Sequence, residues 1–172
     1  MARNIEIKAR IKNIAGLTVK VAELADKGPV EIYQDDTFFA CPNGRLKLRT
    51  FSATDAELIF YRRPDQTGPK ESVYSIAPVA APEKIREVLS QAYGQTGQVR
   101  KHRTLFLIGR TRVHLDRVEG LGDFVELEVV LAENEPVENG VTIAQQLLEM
   151  LGIPLDNLIE GAYVDLLKQR GT

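Results

Sequence analysis

The sequence predicts a mainly β fold of the α+β class, in which antiparallel strands can close into a barrel with helices at its periphery. Three observations support this prediction. About seven or eight segments alternate apolar and polar residues, glycine-containing turns join neighbouring segments in hairpin order, and three segments carry apolar residues at helical spacing. Long antiparallel strands in that number can close into a barrel.

The N-terminal part of the chain supplies a strand, a helix and a second strand. Residues 4–12 (NIEIKARIK) alternate strictly between apolar and charged side chains. Apolar residues at helical spacing then predict a helix over residues 14–24, with Gly28-Pro29 as its end. Residues 30–40 form the next predicted strand, which carries an acidic interruption.

A hairpin follows. Asn43-Gly44 is a hairpin signal, and residues 45–51 (RLKLRTF) alternate again. Residues 57–63 (ELIFYRR) predict a further strand, residues 64–70 a polar loop, and residues 72–76 a short edge strand.

The C-terminal part alternates between helices and a run of three strands. Pro82 opens a second helix. Strands are predicted over residues 98–108, 110–118 and 122–131, and a third helix over residues 141–151, where Gly152 and Pro154 stop it. The tail over residues 163–170 predicts a last helical turn or two.

Composition excludes several classes of protein. The length of 172 residues and the absence of a linker or repeat predict one domain. A net charge of -2 argues against a general nucleic-acid binder. The single cysteine, Cys41, excludes an intrachain disulfide, and no apolar run reaches membrane-spanning length. We therefore expect a cytoplasmic protein, a monomer or homodimer, without a membrane or nucleic-acid partner.

Charge is sorted by strand. Basic side chains share one face of several strands, namely Lys8 with Arg10 and Lys12, Arg45 with Lys47 and Arg49, and Lys101 with Arg103. A purely acidic pair, Glu126 and Glu128, has its own strand. If these faces point into a barrel, they form a cationic wall and an acidic corner, which a polyanion and a divalent cation would neutralise together. A sheet with one solvated face is the alternative.

Five motifs in this order resemble those of the CYTH family, the triphosphate tunnel metalloenzymes that include class IV adenylyl cyclases and thiamine triphosphatases. They are Glu6-Ile-Lys8, Leu46-Lys-Leu-Arg49, Lys101-His-Arg103, His114-Leu-Asp116 and Val125-Glu-Leu-Glu128. The run from His114 to Glu128 is similar to the cyclase branch in particular.

The resemblance implies an eight-stranded antiparallel tunnel over residues 3–131 and a helical segment over residues 137–172, within one domain of residues 1–172. It implies a site for Mg²⁺ or Mn²⁺ at Glu6, Asp116, Glu126 and Glu128. It implies a triphosphate clamp of Lys8, Lys47, Arg49, Arg63, Lys101 and Arg103, to which strand parity adds Arg112. Glu6 and Lys8 are also the expected catalytic residues.

Other residues receive different predictions. Asn4 stands where the family usually has a first acid, so it brings an oxygen without a charge. Asp35-Asp36 is a possible ligand pair, but we expect a solvated pair in a loop or edge strand, and we expect His102 to be structural or to face outward. His114 shares the face of Asp116, which leaves a tunnel-lining and a structural position both open.

Two classes of function remain. The first is an enzyme that acts on a triphosphate such as ATP, either a cyclase that makes cyclic AMP and pyrophosphate or a hydrolase of an organic or inorganic triphosphate. The second is a phosphate-binding module without catalysis. The aromatic content of 6% argues against stacking on single-stranded nucleic acid. We expect the enzyme, because carboxylates accompany the basic side chains.

Overall fold

The computed structural model describes residues 1–171, in which eight antiparallel strands form a closed barrel in the order β1-β5-β4-β3-β2-β6-β7-β8. The strands are β1 (Ala2–Arg10), β2 (Lys27–Phe39), β3 (Arg45–Thr50), β4 (Ala56–Arg62), β5 (Lys70–Val79), β6 (Gln95–Ile108), β7 (Thr111–Val118) and β8 (Gly122–Val130). This confirms the predicted fold class.

Four α-helices accompany the barrel within the described part of the chain. They are α1 (Ile14–Leu24), α2 (Pro82–Tyr93), α3 (Val137–Leu151) and α4 (Tyr163–Arg170), with a short 3-10 helix at Leu155–Asn157. At the start of α1 the Asn13 side chain accepts a hydrogen bond from the backbone N–H of Gly16. No helix within residues 1–171 is both long enough and apolar enough to cross a membrane.

Two local predictions were wrong for the same reason. β5 is not a short edge strand, because it has ten residues and pairs with both β1 and β4. Gly28-Pro29 does not end α1, which stops at Leu24, but lies near the start of β2, where Lys27 already pairs with Leu107 of β6. Barrel closure gives every strand two neighbours, which extends both strands beyond their local signals.

The apolar faces of β1, β7 and β8 point out of the barrel and are covered by α1 and α3. Ile7, Leu115 and Leu127 of the sheet are at most 1% exposed and belong to one core cluster with Val21 of α1 and Leu148 of α3. α3 comes close to β1, because a Cβ at Gly140 would lie 2.5 Å from Ile5 Cγ1. Since the sheet buries its apolar face outside, its other face lines the interior.

The remaining helices cover other parts of the barrel. α2 packs on Phe39 and Leu48 of the outer face. α4 covers one end, where Tyr163 and Val164 are buried with Phe124. A Cβ at Gly97 of β6 would lie 2.4 Å from Val164 Cγ2, so glycine at this position permits the approach of α4.

Candidate active site

The barrel encloses a cavity of about 350 Å³ whose lining includes twelve charged side chains. Seven basic and five acidic residues line it: Lys8, Lys47, Arg49, Arg63, Lys101, Arg103 and Arg112, with Glu6, Asp36, Glu57, Glu126 and Glu128. All the predicted clamp residues, and all the predicted metal ligands except Asp116, are in this set. The charged strand faces are therefore turned inward and not toward bulk solvent.

The register of β1, β8 and β7 sets their inward side chains in rows. Glu6 pairs with Glu128, which pairs with Arg112. One row further, Lys8 pairs with Glu126, which pairs with His114. Glu126 thus lies between a lysine and a histidine of the two neighbouring strands, whereas Glu128 lies between the carboxylate of Glu6 and Arg112.

Three side chains in these rows could hold a metal ion. One ligand atom from each of His114, Glu126 and Glu128 can be chosen so that all three atoms lie within 4.8 Å of one another. His114 is buried, and its Nδ1 has no hydrogen-bond partner within the described residues. Burial, together with the nearby Arg103, lowers the pKa of His114 well below its usual value, so the imidazole is neutral. An unpartnered nitrogen beside two carboxylates fits a divalent metal.

Glu6 lies next to this group and is held by Arg63, whose guanidinium donates a hydrogen bond to its carboxylate. Burial, with the charge of Glu126, raises the pKa of Glu6. Burial alone would also raise the pKa of Glu126, but Lys8 and Arg103 lower it well below its usual value. The two carboxyl groups therefore differ in their tendency to hold a proton.

Asp116 has contacts that differ from those of the metal ligand we predicted. Its carboxylate accepts hydrogen bonds from Lys101 Nζ (3.0 Å), Arg103 Nε and Nη2 (2.7 and 2.8 Å) and the Tyr163 hydroxyl (3.0 Å). Asp116 is 0% exposed, and although burial would raise its pKa, Arg103 and Lys101 lower it. Both oxygens are occupied by protein donors, so the geometry favours Asp116 as the residue that orients Lys101 and Arg103.

Asp36 forms the same arrangement on β2, which only β6 separates from the strand of Asp116. It accepts hydrogen bonds from Lys47 Nζ (2.9 Å) and from Arg49 Nε and Nη2 (both 2.8 Å). The prediction of a solvated Asp35-Asp36 pair was therefore wrong for Asp36, which is 2% exposed and lines the cavity. Asp35 points outward to Arg100 and Gln98. Adjacent residues of a strand face opposite sides, so only one of the two could be solvated.

Burial weakens the basicity of two cavity lysines, Lys47 and Lys101. The pKa of Lys101 falls to about 7, because burial and the nearby Arg103 together exceed the effect of Asp116. The pKa of Lys47 falls to about 8, because burial and Arg49 exceed the effect of Asp36. A bound polyanion would favour the charged form of both lysines.

One end of the cavity is closed by the start of α4. The Tyr163 ring lies edge-on to Phe124, with 4.9 Å between the ring centroids. Lys8 Nζ is 4.1 Å and Lys101 Nζ 4.8 Å from the Tyr163 centroid. α4 is fastened at this end by two hydrogen bonds from Arg45 to the Asp165 carboxylate, of 3.0 and 2.6 Å.

The opposite end has a rim of apolar and aromatic side chains with one carboxylate, Glu57. The lining residues furthest along their strands from Tyr163 include Ile32, Phe51, Tyr74, Ile76 and Leu105. Ile76 is 49% exposed, whereas Tyr163 is 5% exposed. A ligand would therefore enter at this rim and extend toward Tyr163.

Sequence reasoning favoured a solvated position for Asp36 and did not single out Tyr163 or Lys70. Lys70 lies opposite Glu6 on β5, is 2% exposed and donates a hydrogen bond of 2.9 Å to the Gln66 carbonyl. Burial and Arg63 lower its pKa to about 8. Asp36 and Phe38 are two residues apart in the predicted strand, and this spacing indicated that their side chains share one face. Nothing local linked Tyr163 or Lys70 to the cavity, because their positions depend on how the chain closes.

Of the other predictions, His102 does face outward, where its Nε2 lies 3.0 Å from Glu31. Asn4 is buried and lines the cavity, and its Oδ1 has no hydrogen-bond partner within residues 1–171. An uncharged oxygen therefore occupies the place that we compared with the family's first acid.

Comparison with known proteins agrees with this geometry. The model of the CYTH domain matches residues 2–163. Adenylate cyclase CyaB of Aeromonas hydrophila is 24% identical over 96% of this chain and 88% of its own length. MJ0240 of Methanocaldococcus jannaschii, provisionally named as an adenylate cyclase, is 25% identical over 94% of this chain and 97% of its own length.

Among solved structures, PH1012 protein of Pyrococcus horikoshii superimposes with a TM-score of 0.84 at 23% identity, covering 95% of this chain and 98% of its own. This likeness shows that the two proteins share a fold.

Proposed function

The chain belongs to the CYTH domain family, and on that premise we propose that it is a divalent-metal-dependent enzyme that converts ATP to cyclic AMP and pyrophosphate. The observation that carries the proposal is the cavity, which presents seven basic side chains to one enclosed space beside a group of carboxylates. The names of its relatives in Aeromonas and Methanocaldococcus support the cyclase reaction in particular.

The basic residues would bind the phosphates. Two Lys-x-Arg pairs, Lys47 with Arg49 on β3 and Lys101 with Arg103 on β6, flank β2, and Lys8, Arg63 and Arg112 complete the set. Guanidinium groups bind phosphate oxygens in a bidentate manner, whereas ammonium groups act as point charges. A triphosphate held in this way has a fixed position and direction, which is the main requirement of phosphoryl-transfer catalysis.

The carboxylates would hold the metal. Glu126 and Glu128 are the central ligands, and Glu6 lies beside Glu128 in the same row. When bound, a divalent ion offsets the charge that develops on the phosphoryl oxygens. Asp116 would act through Arg103 and Lys101, since its oxygens already accept their hydrogen bonds.

Glu6 and Lys8 have positions suited to the chemical step. Burial raises the pKa of Glu6, so its carboxylate can take the proton from an attacking hydroxyl group. Lys8 Nζ lies 3.9 Å from Glu126 and can donate hydrogen bonds to a phosphate next to the metal ligands. For cyclisation, the hydroxyl is the ribose 3′-hydroxyl directed at the α-phosphorus.

The apolar side chains of the rim support a substrate with an organic group. Ile32, Phe51 and Leu105 offer a surface to a base or another ring, which inorganic tripolyphosphate lacks. The alternative reaction is hydrolysis of a triphosphate, which uses the same clamp but directs water at the terminal phosphorus. A phosphate-binding module without turnover is the alternative outside catalysis.

Product analysis tests these possibilities. The protein is incubated with Mg²⁺ or Mn²⁺ and with ATP, thiamine triphosphate or tripolyphosphate, and the products are separated. We expect cyclic AMP and pyrophosphate from ATP, and their loss in Arg103→Ala. Release of orthophosphate would instead identify a hydrolase. Binding of a triphosphate without any product would leave only the binding module, and neither binding nor turnover would refute the proposed function.

A further inference from the structure

We propose that His114 Nδ1 is a direct ligand of the divalent ion, together with Glu126 and Glu128, and that this mixed site prefers Mn²⁺ to Mg²⁺. The inference rests on the proposed function for the presence of a metal in the cavity. It adds a nitrogen ligand and a metal preference, neither of which follows from carboxylates alone.

The first argument is the unsatisfied nitrogen. His114 is 4% exposed, and its Nδ1 has no hydrogen-bond partner within residues 1–171. A buried polar atom without a partner costs roughly 1–3 kcal/mol in free energy of folding. A metal ion that accepts the lone pair would remove this cost.

The second argument is the direction of the neighbouring carboxylates. His114 lies directly opposite Glu126 across the β7–β8 ladder, so both side chains point into the barrel at the same level. Arg112 Nε donates to Glu128 Oε2 at 2.8 Å, whereas Glu128 Oε1 lies 3.9 Å from His114 Nδ1. The oxygen that faces the imidazole is therefore not the one that binds Arg112.

The third argument is distance. Ligand atoms bound to one divalent ion at about 2.1 Å lie roughly 3–4 Å apart. One ligand atom of each of His114, Glu126 and Glu128 lies within 4.8 Å of the others, and His114 Nδ1 is 3.9 Å from Glu128 Oε1, so small rotations of the side chains would bring them to these distances. The backbone need not move, because both strands are held in the closed barrel.

The metal preference follows from the ligand types. Mg²⁺ prefers oxygen ligands and retains its waters, while imidazole is a better ligand for transition metals. A neutral nitrogen also completes the site without a further negative charge, and Lys8 and Arg112 already lie against the two carboxylates. The site therefore favours Mn²⁺, which binds nitrogen well, over Mg²⁺, whose binding depends mainly on charge.

Pulsed electron paramagnetic resonance of protein-bound Mn²⁺ tests the proposal directly, since it detects nitrogen in the first coordination sphere. The chain has two histidines, and the other, His102, is exposed on the outer face. We expect nitrogen coupling in the wild type and in the matched control His102→Gln, and none in His114→Gln. Circular dichroism confirms that both variants fold.

Calorimetry with each metal alone gives a second readout. We expect His114→Gln to weaken Mn²⁺ binding at least about tenfold, since loss of even an outer-shell partner has that effect. We expect Mg²⁺ binding to change less than about threefold, because the oxygen ligands remain. The wild type should bind Mn²⁺ more tightly than Mg²⁺.

Three outcomes would overturn the inference: bound Mn²⁺ without nitrogen coupling, coupling that survives in His114→Gln, or no binding of Mn²⁺ to the wild type. If ATP is still turned over in such a case, the proposed function stands and only the histidine ligand is refuted. If nitrogen coupling is found but no triphosphate is processed, the histidine ligand stands and the proposed function is refuted.

Discussion

At the scale of single residues, Asp36 on β2 and Asp116 on β7 solve the same physical problem on two strands that only β6 separates. Each aspartate is buried and accepts two hydrogen bonds from one arginine. Each also accepts a third hydrogen bond from the lysine that lies two residues before that arginine in the sequence. A buried cation without a partner would strongly destabilise the fold. These aspartates therefore keep the clamp folded and oriented before a substrate arrives.

Replacing Asp36 with Asn should separate stability from anion binding. Lys47 and Arg49 would lose their counter-charge, so we expect the free energy of unfolding to fall by about 3–5 kcal/mol without ligand. Tripolyphosphate would supply the missing charge, so its stabilising effect on thermal unfolding should be larger than in the wild type. The matched control is Asp35→Asn on the outer face, which should change neither quantity strongly. An unchanged shift with tripolyphosphate in Asp36→Asn would contradict this role.

Replacing Glu128 with Gln should remove a metal ligand while preserving shape. We expect turnover to fall by about a hundredfold or more, because the charge on the phosphates would be less well offset. The free energy of unfolding should change by less than about 1 kcal/mol, since Arg112, the partner of Glu128, is partly exposed and can reach water. Steady-state assays and denaturant unfolding measure the two effects. The control is Glu31→Gln, because the Glu31 carboxylate lies on the outer face. Full activity in Glu128→Gln would exclude Glu128 as a metal ligand.

At the scale of secondary structure, strand parity predicted the inward direction of four clamp cations because parity is a local property, but it did not predict that Arg10, Lys12 and Arg45, on the same faces, lie outside the cavity lining. Lys47, Arg49, Lys101 and Arg103 all point inward as their alternation indicated. Parity does not reveal partners across strands, since register depends on closure of the whole sheet. This is why the contacts of Asp36 and Asp116 were not foreseen. Lys70 was missed because the strand that carries it begins inside a predicted loop.

The contact between β6 and α4 leads to a test at the same scale. Gly97→Ala would place a Cβ 2.4 Å from Val164 Cγ2, so we expect α4 to shift and the protein to lose about 1–3 kcal/mol of stability. Val164→Ala should remove the clash, so that Gly97→Ala costs less stability in that background than in the wild type. Denaturant unfolding of the two single variants and the double variant measures the coupling. Equal costs of Gly97→Ala in both backgrounds would show that this contact does not limit the packing.

At the scale of the whole molecule, the lowered pKa values of Lys101 and Lys47 make both the stability of the fold and the binding of anions depend on pH. The pKa of Lys101 is about 7 in the folded protein, below its ordinary value of 10.5. Between pH 7 and pH 10.5, the Lys101 side chain binds more protons in the unfolded chain than in the folded protein. The contribution of Lys101 to the free energy of unfolding therefore rises with pH and is least favourable below pH 7. Binding of an anion has the opposite dependence, because it needs the charged lysine.

We therefore expect the affinity for tripolyphosphate to fall as the pH rises through about 7 to 8, the pKa values of Lys101 and Lys47. Lys101→Arg retains its charge across this range and should reduce the slope. Titration calorimetry at several pH values measures the effect. Lys84→Arg, at an exposed position, is the control and should follow the wild type. An identical slope in Lys101→Arg would assign the dependence to other groups.

The pairing of clamp cations with Asp36 and Asp116 also affects how fast an anion arrives. Long-range attraction depends on net charge, and five acidic side chains in the lining offset most of the seven basic ones. Association of a triphosphate should therefore depend only weakly on ionic strength, unlike capture by an open basic surface, where salt competes at every contact. Selectivity would arise after entry, when phosphate oxygens accept hydrogen bonds from the cations that the two aspartates hold in place. Stopped-flow association rates over a range of salt concentrations would show this as a shallow slope.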